Sequence, residues 1–281
     1  MQVQVNGGRR QVAPGTTVAE LIASHDLNPR YVVVEYNGEP LDRTAYDTTQ
    51  LAEGDQLELV RAVAGGSRDG RWRRERLARS HIYCCTDRRA DRGDLPAFLD
   101  TICAAGVDLV QLRDKHASRE ELAEAAEVFH QAAVKHGALF IMNDDPELAV
   151  ATGADGVHVG HEDAAPASAR AVVGTDRIIG LSTHSPAQVD GALTADCDYF
   201  AIGPVHATPT KAGRHPIGIE PVRYAAGVAD RPWFVTGAMS VDTAPAVVAA
   251  GGSGLVVVRA ITDADDPAKA VRELRQLAAG T

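Results

Sequence analysis

The chain has 281 residues, 45% hydrophobic and 23% charged, with a formal net charge of −10. That composition suits a globular protein with room for a sizeable core or for two domains, and the acidic balance excludes nucleic acid as the main partner. No apolar run of about 20 residues, the length that spans a bilayer, occurs in the sequence, and Met1-Gln2-Val3-Gln4-Val5 is not a secretory leader. The four cysteines, Cys84, Cys85, Cys103 and Cys197, have no metal-ligand spacing, and the pair Cys84-Cys85 sits in an apolar run as core thiols. Without a disulfide framework, a reducing cytoplasm is the expected location.

Residues 1–66 carry five Lys+Arg against nine Asp+Glu. Gln2 to Asn6 alternates polar and apolar, as a half-buried strand does. Asn6-Gly7-Gly8 is a hairpin turn signal, because Asn and Gly tolerate positive φ, and residues 9–12 return as the second strand. Thr17-Val18-Ala19-Glu20 has the spacing of a capping box, followed by one helical face of Val18, Leu21 and Ile22. Tyr31 to Val34 reads as a strand, Asn37-Gly38-Glu39-Pro40 as a turn, and Leu57 to Val60 as the last strand, running into Gly65-Gly66. This order, length and Gly-Gly tail resemble the ThiS-like sulfur carrier of thiamine biosynthesis, a small α+β, ubiquitin-like β-grasp domain. The resemblance implies that the last glycine's carboxylate is adenylated and converted to a thiocarboxylate. It also implies a sulfur-carrier adenylyltransferase and a thiazole synthase as partners. Two glycines suit a tail that threads a narrow active site. Here Gly66 is followed by Ser67, so its carbonyl is an amide. Either the chain is a precursor cut after Gly66, or the domain has lost the carrier role and only docks.

Residues 67–80 hold six arginines against two acidic residues. They read as a flexible, solvated connector rather than as a basic arm for RNA or lipid, with Trp72 the one hint of docking.

From His81 on, short apolar runs alternate with alanine-rich helical patterns such as 119–136, 241–250 and 267–278. The runs are 82–86, 109–113, 139–143, 156–159, 178–181, 199–203, 234–237 and 255–258. Strands alternating with helices imply a parallel sheet, and eight such units imply a closed (β/α)8 barrel over 81–281. No Gly-x-Gly-x-x-Gly turn follows the first strand, which counts against a dinucleotide fold.

Barrel active sites lie at the C-terminal ends of the strands, and polar residues collect there. Gln111, Arg113 and Lys115 are two apart on strand two and share a face. Strand three ends in Asn143-Asp144-Asp145, strand four leads to Asp163, and strand five ends in Ser182-Thr183-His184. Strand six leads through Thr208 and Thr210 to Lys211, strand seven to Gly237, and strand eight to Val258-Arg259. Arg113, Lys115 and Lys211 supply positive charge. Asp144 and Asp163 would repel each other unless a bound Mg²⁺ took both. Cations, paired carboxylates and hydroxyls together suit a diphosphate ester. Asp163 as a helix N-cap and Gly237 as a tight turn are the competing structural roles.

The ordered segments Gln-Leu-Arg-Asp-Lys, Met-Asn-Asp-Asp, Gly-Val-His-Val-Gly-His-Glu-Asp, Gly-Leu-Ser-Thr-His and Gly-Pro-Val-x-x-Thr-x-Thr-Lys resemble the signature motifs of the thiamine phosphate synthase family. The resemblance covers essentially all of 81–281. It implies a transferase that joins a pyrimidine methyl diphosphate to a thiazole phosphate (carboxythiazole phosphate) and releases pyrophosphate, by a dissociative route. It also implies that Gln111, Arg113, Lys115, Asn143, Ser182 and Lys211 hold the pyrimidine diphosphate. Asp144 and Asp163 would bind Mg²⁺, and Thr208, Thr210, Gly237, Val258 and Arg259 the thiazole phosphate. Two positions depart from the family pattern: Ala238 replaces a usual glycine, and Arg259 stands where serine is frequent. The rival readings are a thiazole tautomerase-like barrel, which has no diphosphate to expel, and a carrier or scaffold with a decayed barrel. The sequence sets no oligomeric state.

Overall fold

The computed structural model describes residues 1–25, 32–61, 68–160, 163–208, 215–252 and 254–279. The chain divides into two compact units, Met1–Gly66 and Ser67–Thr281. Among the described residues no helix is long and apolar enough to cross a membrane.

Among the described residues, the first unit is a five-stranded sheet with one α-helix. Its strands are β1 (Gln2–Val5), β2 (Gly8–Gln11), β3 (Val32–Tyr36), β4 (Glu39–Leu41) and β5 (Gln56–Arg61), in the order β2-β1-β5-β3-β4. β1 runs antiparallel to β2 and parallel to β5. Helix α1 (Val18–Ala23) opens on the expected capping box between Thr17 and Glu20 and buries Val18, Leu21 and Ile22 against Val3, Val5, Val32, Val34 and Leu57. Asn37 and Gly38 both take positive φ. The turn expected there closes a second hairpin, pairing β3 with β4.

The second unit contains a closed barrel of parallel strands. They are β6 (Ile82–Thr86), β7 (Leu109–Leu112), β8 (Leu139–Asn143), β9 (Gly156–Val159), β10 (Ile178–Thr183), β11 (Tyr199–Ile202), β12 (Trp233–Val235) and β13 (Leu255–Val257). Each strand pairs with the next, and β13 pairs with β6. Helices α3 (Leu95–Ala104), α4 (Arg119–His136), α5 (Pro146–Ala151), α6 (Pro166–Val173), α7 (Pro186–Thr194), α8 (Glu220–Val228), α9 (Ala244–Ala249), α10 (Arg259–Thr262) and α11 (Pro267–Ala279) lie in the connections and at the end. Strand seven stops two residues before the expected Gly237, which takes a φ of +117° and turns the chain out of the sheet. The helix expected from residue 241 starts at Ala244, with a proline in its first turn.

The expectation of a flexible connector at 67–80 is corrected. Residues Gly70–Ala78 form helix α2, capped by Asp69. Leu77 is buried with Tyr83, Leu109, Leu139, Ile178, Tyr199 and Phe234 in the lower interior of the barrel, and Trp72 packs partly against them. The arginines meet aspartates placed one residue before alternate strands. Arg76 Nη2 lies 2.8 Å from Asp108 Oδ1. Arg73 Nε lies 3.0 Å and Arg68 Nη2 2.7 Å from the Asp155 carboxylate. Arg74 Nε lies 2.8 Å from Asp198 Oδ1. The same carboxylates accept backbone N–H groups of the preceding strands, from Ile82, Phe140 and Ile179. Composition favoured a solvated linker because six arginines have few apolar neighbours in sequence. The acidic partners of Arg68, Arg73, Arg74 and Arg76 lie far along the chain and meet them only when the barrel closes.

Asp155→Ala leaves two guanidinium groups and the Phe140 N–H without their carboxylate. Breaking a buried pair in this way costs about 3–5 kcal/mol, so the barrel's urea midpoint should fall sharply. Arg71→Ala, at an exposed pair with Glu75 on the same helix, should leave it unchanged.

Candidate active site

The strands' C-terminal ends open on a cavity of about 650 Å³. Strand β7 and the residues after it supply Gln111, Arg113 and Lys115, and the end of β8 supplies Asn143 and Asp144. The strand's two-residue alternation sends Gln111 and Arg113 inward, and the Arg113 N–H still bonds Thr86 O at 2.8 Å, so the β6 ladder holds its backbone. Gly160 and Asp163 follow β9, Ser182 lies in β10, and Thr208 lies beyond β11. Gly237 and Ala238 follow β12, and Val258 and Arg259 follow β13. Thr210 and Lys211 lie outside the described residues, as do Gly65 and Gly66 of the first unit.

Charge at the mouth is unevenly compensated. Arg113 and Lys115 make no ion pair among the described residues. Asp144 sits beside Asp163, and its carboxyl is pushed up to about 6 by burial and by Asp163, against an opposing pull from Lys115. Its backbone is held at φ +62°, in a region Asp tolerates better than most residues, with its N–H on His158 O at 2.9 Å. Asp163 is not the N-cap of α6, which is Ala165. Its Oδ2 instead accepts the Gly160 N–H at 2.8 Å. A Cβ on Gly160 would stand 2.8 Å from that oxygen, so a side chain there would push the carboxylate away. A Cβ on Gly237 would stand 2.4 Å from Val205 N, so this glycine serves a close backbone approach as well as a turn. Ala238 adopts φ +50°, and its carbonyl accepts the Thr243 hydroxyl at 2.9 Å.

The cavity also has residues to which the sequence reading gave no role. Tyr83, Cys85 and His158 line its floor. Gln111 Nε2 donates to Tyr83 Oη at 2.7 Å, and Cys85 donates to Gln111 Oε1 at 3.0 Å. His158 lies 3.0 Å from both Tyr199 Oη and Ser182 Oγ. Their signal was present: Tyr83 and Cys85 are two apart on the first strand, and His158 stands two before Gly160. Apolar neighbours masked it, and the pair Cys84-Cys85 divides. Cys84 faces the outer core, whereas Cys85 faces the cavity.

The fold is a (β/α)8 barrel, with its mouth built from strand-end cations, a carboxylate pair and a glycine turn after strand seven. The model of the thiamine monophosphate synthase family matches residues 82–261, and the chain belongs to that family. The ThiS family model matches residues 3–66. The thiamine-phosphate synthase of Acidothermus cellulolyticus is 47% identical over 199 residues, covering 70% of this chain and 94% of that protein. That of Mycobacterium bovis is 46% identical over 212 residues, covering 71% and 95%. Among solved structures, thiamine phosphate pyrophosphorylase from Pyrococcus furiosus is 30% identical with a TM-score of 0.65, covering 73% of this chain and 97% of that one.

Asp144 binds a proton more tightly folded than unfolded, since its ordinary value is 3.8. It therefore supports the fold fully only below about pH 4, and that support is lost as pH rises through about 6. In the absence of divalent cations, Asp144→Asn should raise the melting temperature by a few degrees at pH 8. The advantage should shrink as pH falls toward 4, as followed by calorimetry across that range.

Proposed function

We propose that the barrel is a thiamine-phosphate synthase, joining a pyrimidine methyl diphosphate to a thiazole phosphate with release of pyrophosphate. The observation that carries this reading is the pairing, in one cavity, of the cations Arg113 and Lys115 with the carboxylates Asp144 and Asp163. The barrel's relatives, at 46–47% identity, bear that name. A tautomerase has no leaving diphosphate for such a set to hold, and a decayed scaffold would not keep it together.

Gln111, Asn143 and Ser182 orient the pyrimidine in this scheme. Arg113, Lys115 and Lys211 hold the diphosphate and stabilise the charge it gains as the C–O bond breaks and the bonding pair leaves with pyrophosphate. The thiazole nitrogen's lone pair then forms the new C–N bond to the pyrimidine methylene cation, so no side-chain nucleophile is required. Thr208, Thr210, Arg259 and the backbone at Gly237 and Val258 hold the thiazole phosphate, at the usual phosphate position of such barrels. Arg259 adds a cation there, and the Ala238 methyl narrows the approach.

Asp144 and Asp163 fit Mg²⁺. They are oxygen donors whose mutual repulsion a cation relieves. Mg²⁺ takes one or two carboxylates and completes its shell with phosphate oxygens and water. Bound there, Mg²⁺ would neutralise charge on the departing pyrophosphate.

For the first unit we propose a sulfur carrier released by cleavage after Gly66, acting with a sulfur-carrier adenylyltransferase and a thiazole synthase. The boundary between the two compact units falls at that bond, and α2 remains with the barrel, so separation leaves both units whole. All four cysteines are buried thiols outside any disulfide, which suits a reducing compartment, and we place the protein in the cytoplasm.

Arg113→Ala and Lys211→Ala should each cut turnover about 10²–10³-fold, the usual cost of losing one donor to developing charge, in an assay of thiamine phosphate formation. Chelation of divalent cations should abolish it. Near-normal turnover in either variant would remove that residue from the leaving-group role. Mass analysis of the protein from cells starved of thiamine should find a fragment ending at Gly66, whereas full-length chain alone would make the first unit a docked or vestigial domain.

A further inference from the structure

Five strands contribute side chains to one continuous hydrogen-bonded chain under the cavity floor. Cys85 Sγ donates to Gln111 Oε1 at 3.0 Å, and Gln111 Nε2 donates to Tyr83 Oη at 2.7 Å. Tyr83 Oη lies 3.0 Å from Tyr199 Oη. Tyr199 Oη lies 3.0 Å from His158 Nδ1, and His158 Nε2 lies 3.0 Å from Ser182 Oγ. Both phenols are fully buried, and burial holds them protonated. The backbone keeps space for this arrangement: a Cβ on Gly180 would stand 2.1 Å from Tyr199 Cζ.

Proton counting gives the chain a direction. A phenol carries one hydrogen, and an amide nitrogen cannot accept. Tyr83 Oη therefore receives the Gln111 N–H, and only by giving its own hydrogen to Tyr199 does this buried hydroxyl pair it within the chain. The Tyr199 hydrogen then goes to His158 Nδ1, so the imidazole proton sits on Nε2 and is given to Ser182 Oγ. The Ser182 hydroxyl, already an acceptor from His158, turns its hydrogen to the cavity. If the Gln111 amide were turned over, every bond would reverse, His158 would carry its proton on Nδ1, and Ser182 would offer a lone pair to the substrate instead.

We infer that Tyr83, Tyr199 and His158 are positioning residues, whose ordered hydrogen bonds fix His158 as its Nε2–H tautomer and present the Ser182 hydroxyl as a donor to an acceptor atom of the bound pyrimidine. The substrate part of this inference rests on the synthase reading above, while the proton order does not. An uncharged donor set of this kind discriminates by hydrogen bonding: a ring analogue with a donor at the facing atom leaves two hydrogens opposed.

The test is long-range ¹H–¹⁵N NMR of the full chain labelled at histidine, without substrates, with His158→Gln used only to assign the signals. A protonated Nε2 and an unprotonated Nδ1 on His158 is the expected result, and the opposite tautomer overturns the inference. Tyr199→Phe keeps the ring and its aromatic contacts but removes the hydrogen given to Nδ1. It should shift the His158 nitrogen signals and raise KM for the pyrimidine diphosphate about 3–10-fold, the worth of one hydrogen bond, with a smaller change in KM for the thiazole phosphate. A Tyr199→Phe protein with unchanged nitrogen signals and unchanged KM also overturns it. Failure of the synthase reading would show differently, as absent turnover in the unaltered protein whatever the tautomer.

Discussion

Closing eight parallel strands into a barrel forces every second side chain into a space with no water to spare. The rest of the second unit depends on how that space is filled. Its lower level is apolar and aromatic, with Tyr83, Tyr199 and Phe234 in edge-on contact and Leu77 of α2 inserted from below. Its upper level carries polar groups, each of which must find a partner or line the cavity, because an unpaired buried polar group costs about 1–3 kcal/mol. The two tyrosines serve both levels: their rings pack below, and their hydroxyls carry hydrogen bonds from Gln111 across to His158 and Ser182.

Charge is divided along the barrel axis. At the base, arginines of α2 are matched by Asp108, Asp155 and Asp198, which also hold backbone N–H groups at the starts of their neighbouring strands. At the mouth, Arg113 and Lys115 face the cavity without ion pairs among the described residues, and Asp144 and Asp163 face each other. The base therefore gains stability from its charges, whereas the mouth keeps charges that an anionic ester and a divalent cation would satisfy. A folded protein tolerates such local cost where binding later repays it.

The position of α2 also bears on the joining of the two units. Had the arginine-rich stretch been a loose tether, cutting anywhere in it would be equivalent. Because the stretch from Arg68 onward belongs to the barrel, a cut nearer its middle would remove Leu77 or the arginines from the base. A cut at the unit boundary spares the barrel and leaves the Gly65-Gly66 tail on the other side.

Local pattern alone determined a good deal. The capping box at Thr17, the Asn6-Gly7 hairpin, the eight strand-helix alternations and the inward set Gln111, Arg113 are all written within a few residues of each other, and period and spacing suffice to read them. The family resemblances were legible for the same reason, since strand-end motifs keep their order along the chain. Only the tertiary structure decided what depends on distant partners. Residues 70–78 are a packed helix because Asp108, Asp155 and Asp198 meet its arginines across the closed base. Asp163 serves Gly160 rather than the next helix because its carboxylate accepts the Gly160 N–H. Tyr83, Cys85 and His158 became cavity residues because closure brings five strands to one floor, and a hydrogen bond between residues 116 apart in sequence leaves no trace in any local pattern.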